Sequence, residues 1–388
     1  MIIELHAIQS FTAANLNRDD TGLPKEVTFG GVRRARVSSQ SWKRAMREQF
    51  RVDLGDLKLA TRTKRAHEEI VKRLLAAEPS LEEGLAEHRA AVVLEAEPLK
   101  LKLVVKENVS TKTGQLLFFR AADLDALAMV ASAHAAEIDA EVSSVGNPLL
   151  DGKTGKGKLS KEAARQVKEA MTAPSDAVDV ALFGRMVAEL PEGNVDASCQ
   201  VAHAIGTHAL SGEDDFYTAV DDLRPEETEG ADMMGTISYN ASCFYRYAAV
   251  DIRQLAENLG VGGGDEAVRT AVGAFTRAFV KSIPTGKQNT FAAHNPPTAV
   301  LAITRAAGQW NLANAFLRPL EFAGDALDAE ATHAMLAQFG SLNEMYGEPR
   351  DEIAGALLAS SALDADLPAG VVRVEGLASI VDHVGGGA

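Results

Sequence analysis

Cysteine is almost missing from this chain: Cys199 and Cys243 are the only two among 388 residues. They cannot form a disulfide framework and lack zinc-ligand spacing. Long apolar runs are missing too, and none approaches the ~20 residues needed to span a bilayer, so no membrane partner is expected. Met1-Ile2-Ile3-Glu4-Leu5-His6 lacks the basic start of a leader peptide and reads as a strand, so a cytoplasmic location is expected. Positive charge is the minority sign, with 39 Lys and Arg against 54 Asp and Glu, for a net charge of −15. That balance argues against a free-standing nucleic-acid-binding domain, which is usually basic. Catalytic signatures are also lacking. There is no Gly-x-Ser-x-Gly elbow and no nucleophile-base arrangement. Five residues separate Gly146 from Gly152-Lys153-Thr154, where the phosphate loop of nucleotide hydrolases needs four, and the preceding segment reads as a helix. His203 and His208 fall in what reads as a helical run, on different faces, whereas a helical zinc pair needs a spacing of four and a carboxylate. Neither a metal nor a cofactor is expected.

What is there is a soluble composition, 46% apolar and 24% charged, in a chain long enough for one large core or several smaller ones. The negative charge is uneven: residues 310–388 hold twelve acidic residues against Arg318, Arg350 and Arg373. Against that background one strip stands out. From Arg33 to Arg47 lie six basic residues and no acidic one, directly after Gly30-Gly31. Ser38 or Ser39 reads as a helix N-cap. Trp42, Met46 and Phe50 then form an apolar stripe at helical spacing, with Lys43, Arg47 and Arg51 about 100° further round. Lys43 and Arg44 near the helix start oppose the helix dipole by roughly 0.3–1 kcal/mol each, a penalty that a bound anion would reverse. The strip suits phosphate; taken alone, it also suits a solvated basic face.

Along the chain, residues 2–9 alternate as a first strand, and residues 58 to 140 read as mainly helical, including Thr61–Ala77 and Ala121–Val142. Gly146 to Lys158 is a basic break, followed by a helix over Ser160–Met171. Gly235–Tyr247 and Thr298–Thr304 read as strands, with an amphipathic helix at Asp265–Ser282 between them. Glu213 to Met234 reads as a long polar irregular segment with apolar points at Phe216, Tyr217, Val220, Leu223, Met233 and Met234. This order suggests an α+β fold with a ferredoxin-like sandwich. Gly286-Lys287-Gln288-Asn289-Thr290-Phe291 joins a cation, amides and an aromatic in a loop suited to a sugar-phosphate chain. Asp19 and Asp20, after Arg18, suit a turn cap; a backbone-cleaving role is the alternative.

Taken in order, Leu16-Asn17-Arg18-Asp19-Asp20, Phe29-Gly30-Gly31, the Arg33–Arg47 strip, Leu182-Phe183-Gly184-Arg185-Met186 and Gln200-Val201-Ala202-His203-Ala204 resemble one family. So do Thr218-Ala219-Val220-Asp221-Asp222-Leu223, Phe244-Tyr245-Arg246-Tyr247 and Gly286-Lys287-Gln288-Asn289-Thr290. The family is CasC, the multi-copy backbone subunit of the type I-E CRISPR surveillance complex, Cascade. The resemblance spans about residues 2–315, and region 316–388 carries no matched motif.

The resemblance implies an RNA-recognition-motif-like (ferredoxin-like) palm from 1–57, 181–207 and 239–388, with helical fingers at 58–180 and a thumb loop at 208–238. Copies would stack head to tail as a helical filament along a CRISPR RNA, kinking it at intervals and presenting it for pairing with target DNA. Other Cascade subunits and a separately recruited nuclease-helicase would be further partners, and the chain itself would not be an enzyme. Arg18, Ser38, Gln40, Lys43, Arg47, Lys287 and Gln288 would hold RNA phosphates. Met186, Tyr217 and Met234 would be wedges between bases; the position of Tyr217 is usually phenylalanine in the family. Lys153, Lys156, Lys158 and Lys161 would face DNA. The alternative implied by related CRISPR backbone subunits is an RNA endonuclease using Asp19 or Asp20.

Overall fold

A central strand buried on both faces organises the larger part of this protein. The computed structural model describes residues 1–55, 59–106, 109–145, 159–174, 176–219, 233–321, 326–348, 353–359 and 367–386. In chain order come β1 (Ile2–Ala14), β2 (Glu26–Phe29), β3 (Val32–Val37) and α1 (Ser39–Leu54). The next stretch holds β4 (Thr61–Thr63), α2 (Ala66–Ala77), α3 (Glu83–Glu95), β5 (Leu103–Lys106), β6 (Val109–Thr113) and β7 (Leu117–Phe119). After these come α4 (Ala121–Ala133), α5 (Ala135–Val145), α6 (Lys161–Thr172) and α7 (Val178–Phe183). Then follow β8 (Cys199–Val201), β9 (Ala204–Gly206), β10 (Gly212–Ala219), β11 (Met233–Asp251), α8 (Ile252–Leu259), α9 (Glu266–Lys281) and α10 (Gln288–Phe291). The last are β12 (Ala299–Arg305), α11 (Leu327–Tyr346), β13 (Ala354–Ala359), β14 (Val371–Arg373) and α12 (Leu377–Gly386).

The chain divides into two compact units. One comprises Met1–Asp53, Cys199–Arg253 and Gly262–Ala388; the other comprises Leu54–Ser198 and Gln254–Val261. The first is α+β, with a mixed sheet in the order β14-β13-β12-β1-β11-β9-β3-β2 and with β10 and β8 also paired to β11. β1 lies antiparallel to both β11 and β12, Ile8 facing Tyr245 on one side and Ala299 on the other. Interior position explains why its polar residues are buried with partners. Glu4 pairs with Arg305 at 2.8 Å, and His6 Nδ1 shares a hydrogen bond of 2.9 Å with the Tyr245 hydroxyl. One face packs Ile2, Ile8, Leu301 and Ile303 with Met335 and Phe339 of α11. On the other, Phe11, Val37 and Phe244 pack with Trp42 of α1.

The second unit has its own core, built from Ile70 and Leu74 of α2, Ala90 and Val93 of α3, Leu124 and Leu127 of α4, and Val167 of α6. It is not all helix, as the 58–140 pattern suggests: β4 pairs with β7, and β5 with β6. The first of these ribbons delays the expected Thr61 helix start to Ala66. The alanine-rich run expected as one helix turns at His134, whose backbone leaves helical geometry and separates α4 from α5. Two further expectations change. Cys199–Val201 and Ala204–Gly206 form short strands against β11, not a helix, so His203 lies in the link between them and His208 in an isolated bridge to Leu320. Glu213–Ala219 and Met233–Met234 are arms of a ribbon, not irregular chain. In each case the pairing partner is distant in sequence, so no local period announces it. No helix among the described residues is long and apolar enough to cross a membrane.

Candidate nucleic-acid interface

Three segments far apart in sequence meet on the larger unit. The loop after β1 carries Asn17 and Arg18, and Asn17 Oδ1 accepts a hydrogen bond from the Ser38 backbone N–H at 2.9 Å. Ser38 caps α1, its Oγ accepting from Ser41 N–H at 3.4 Å, so the helix starts at Ser39 and Lys43 and Arg44 fall just past its first turn. That first turn holds no acidic residue. The third segment arrives at Gly286, where an added Cβ would lie 2.8 Å from the Asn15 carbonyl oxygen and closer still to that of Leu16. Only glycine permits this approach, and it places Lys287 beside the loop of Arg18.

Each residue has a definite setting. Arg18 and Gln40 are exposed, while Lys43, Arg47 and Lys287 are half-buried. Ser38 is buried. Lys43 is close enough to Cys199 for its ammonium to oppose the burial that pushes that thiol up to about 12. Lys287 and Ala292 both adopt left-handed backbone, φ 52° and 47°, at the two ends of α10. Such strain in non-glycine residues concentrates at functional sites. The Gln288 amide donates to the carbonyls of Pro284 at 3.1 Å and Ala293 at 3.2 Å, which holds the turn, and its Oε1 is buried without a hydrogen-bond partner.

The first three arginines of the strip are engaged within the protein itself. Arg34 is fully buried, donating to the carbonyls of Gly206 and Phe316 at 3.0 Å each. Arg33 pairs with Glu26, and Arg36 donates to the Glu26 carbonyl at 3.0 Å with His203 Nδ1 at the same distance. His203 is held below the ordinary histidine range by burial and then by the charges of Arg36 and Lys25. His208 is a core residue, its Nδ1–H donating to Ala209 O at 2.8 Å and its Nε2 accepting from Cys243 N–H at 3.2 Å. Asp19 caps its own turn: one carboxylate oxygen accepts from Thr21 Oγ at 2.7 Å, Thr21 N–H at 2.9 Å and Leu23 N–H at 3.0 Å. These bonds, the hydroxyl first, hold its carboxyl below the usual range.

The family described as CT1975-like protein matches residues 3–376. This chain belongs to that family. No curated protein matches this CT1975-like protein significantly. Two solved structures resemble it along 100% of both chains. One, at 35% identity and TM-score 0.87, is described as a CRISPR RNA-guided surveillance complex, pre-nicking. The other, at 30% identity and TM-score 0.76, is described as a CRISPR RNA-guided surveillance complex. The motif reading of a CRISPR surveillance-complex subunit family is therefore borne out.

The apolar residues expected to act as wedges are all exposed in the CT1975-like protein: Met186 by 75%, Met234 by 69% and Tyr217 by 42%. Tyr217 and Met234 lie on the β10–β11 ribbon, but on opposite faces. Tyr217 stands opposite Gly235, whereas Met234 stands opposite Thr218. The residue that shares Met234's face is Phe216, exposed by 62% and diagonal to it. The motifs leave Phe216 out; alternation along Asp214-Phe216-Thr218 is the signal that could have found it. Met186 belongs to the other unit. Lys161 is exposed at the start of α6. Lys153, Lys156 and Lys158 lie outside the described residues, as do Asp221, Asp222 and Leu223.

Proposed function

We propose that this CT1975-like protein is the RNA-binding backbone subunit of a type I-E Cascade complex. Copies stack along a CRISPR RNA, hold its phosphates on an RRM-like palm, kink it at intervals with apolar wedges and leave the intervening bases free to pair with target DNA. Specificity lies in base pairing, so the protein needs only backbone and shape. The observation that carries the reading is the meeting of the Arg18 loop, the start of α1 and the Lys287 turn in one place. A helix N-terminus without acidic residues, flanked by cations from separate segments, suits a run of phosphates. The surveillance complexes in which the two similar chains occur support guide RNA and other Cascade subunits as partners. The pre-nicking description of one relative suits cutting by a separately recruited nuclease-helicase. A cytoplasmic site of action goes with this role.

We assign the subunit no catalytic step. Asp19, the alternative RNA-cleaving residue together with Asp20, already serves as a turn cap. Metal-dependent cleavage of bound RNA at regular spacing, lost in Asp19→Ala or Asp20→Ala, would overturn that assignment. For the track itself, Lys43→Ala with Arg47→Ala should weaken RNA binding equally across sequences and flatten its salt slope by about one to two units. A loss confined to some sequences would contradict backbone recognition.

A further inference from the structure

Met186 is exposed, yet its surroundings are fixed. It sits between Arg185 and Val187, both buried. Arg185 exchanges two backbone hydrogen bonds with Val195, at 2.9 and 2.8 Å. Gly184 before it has φ 79°, and a Cβ there would lie 2.8 Å from the Val195 carbonyl oxygen. Val187 N–H donates to Asn194 Oδ1 at 2.6 Å, while the Val187 side chain joins the core of its unit. Met186 is thus the one outward side chain of a short segment pinned on both sides.

Beneath it lies a buried charge cluster that RNA binding by itself does not require. The Arg185 guanidinium donates to Gly193 O at 3.1 Å, Met171 O at 2.6 Å and Asp123 Oδ2 at 3.0 Å. Asp123 is fully buried, and its Oδ1 accepts from Arg120 Nε at 2.7 Å. Arg120 also reaches Pro174 O at 2.6 Å and Ala170 O at 3.0 Å. One carboxylate thus answers two guanidiniums. Apart from the Gly193 bond, their remaining donors meet carbonyls at or just past the C-terminal end of α6, where the helix dipole favours cations. A forked guanidinium satisfies three acceptors at once, which an ammonium on a flexible stem cannot reproduce.

We infer that Arg185, backed by Asp123 and Arg120, is a positioning residue that presents Met186 at a fixed height and direction, ready to enter a stack of bases. The inference rests on the reading of Met186 as a wedge. A side chain held in its bound geometry beforehand loses less freedom on insertion than one on a loose loop. The buried cluster supplies that preorganisation for a residue whose own side chain touches water.

The test uses the full chain assembled with guide RNA and partner subunits, with dimethyl sulfate reporting unstacked bases along the RNA. Met186→Ala should flatten the periodic reactivity peaks. Arg185→Lys should lower them at least about threefold, a coupling within the range of residues that act together. Asn194→Ala, a surface change, should lower them in the same direction. In Met186→Ala protein, Arg185→Lys should add nothing. If Met186→Ala leaves the peaks intact, the wedge reading falls and the inference with it. If Met186→Ala flattens them but Arg185→Lys and Asn194→Ala do not, the wedge stands and the positioning role is overturned. That role is overturned as well if Arg185→Lys lowers the peaks equally with and without Met186. Should Arg185→Lys fail to assemble, Asn194→Ala decides.

Discussion

Arg34 and Lys43 stand nine positions apart in one basic strip, and burial gives them opposite tasks. Arg34 is enclosed, lies over the Phe29 ring at 5.9 Å and satisfies two carbonyls. Truncating it leaves those acceptors and a cavity, so Arg34→Ala should cost about 2–5 kcal/mol of stability, read by chemical denaturation. Lys43→Ala with Arg47→Ala should leave the denaturation midpoint within the range usual for surface changes while RNA binding falls. A basic strip announces charge but not depth, and only the sheet distinguishes its two halves. His6 supplies a second test at this scale. It is fully buried beside Tyr245, and desolvation, with Arg305 adding to it, lowers its pKa to about 3. The folded protein therefore binds this proton more weakly than the unfolded chain. Its stabilisation is complete above the unfolded value near ~6.5 and is lost as pH falls toward 3, by about 1.4 kcal/mol per pH unit. Denaturation of His6→Gln should show a shallower decline than wild type between pH 6 and 4; parallel curves would refute this.

Among the elements, the junction between the β1 loop, α1 and the Gly286 turn is the part most exposed to a single change. Gly286→Ala forces Cβ against the backbone of Asn15 and Leu16. Overpacking of this kind typically costs about 1–3 kcal/mol, and here it should move Lys287 away from the Arg18 loop. RNA affinity should fall even though no cation is removed, and binding at wild-type strength would show that the three segments do not act together. The sequence motifs name all three segments, but nothing local says that Leu16 and Gly286 touch. Helices with caps and stripes are legible in the sequence: of Ser38 and Ser39 it is Ser38 that caps α1, and the helices expected from Asp265 and Ser160 begin with those residues as N-caps of α9 and α6. Strands are harder. β8 and β9 have three residues each, too few for a period, and exist because β11 runs beside them. β10 is hidden by its acidic start, Glu213-Asp214-Asp215. Its carboxylates find cross-strand hydroxyls, Asp214 accepting from Ser238 at 2.6 Å and Glu213 from Tyr239 at 3.0 Å.

For the whole molecule, an acidic chain with a local cationic site suits a subunit that grips nucleic acid along a defined track. The β10–β11 ribbon adds a second indication. A two-stranded ribbon is marginal in water, and this one exposes Phe216, Tyr217 and Met234 along its described part. Surfaces of that kind are completed by a partner. Phe216→Ala with Met234→Ala should therefore reduce assembly on RNA far more than it lowers the stability of the isolated chain, as read by mass and by melting. On the proposed function, this protein becomes a multi-copy filament on guide RNA. Co-expression with a CRISPR RNA and the partner subunits, followed by native mass measurement of the purified material, tests it most directly. Several copies of this chain on one protected RNA, together with the other subunits, are expected. A monomer free of nucleic acid would contradict it.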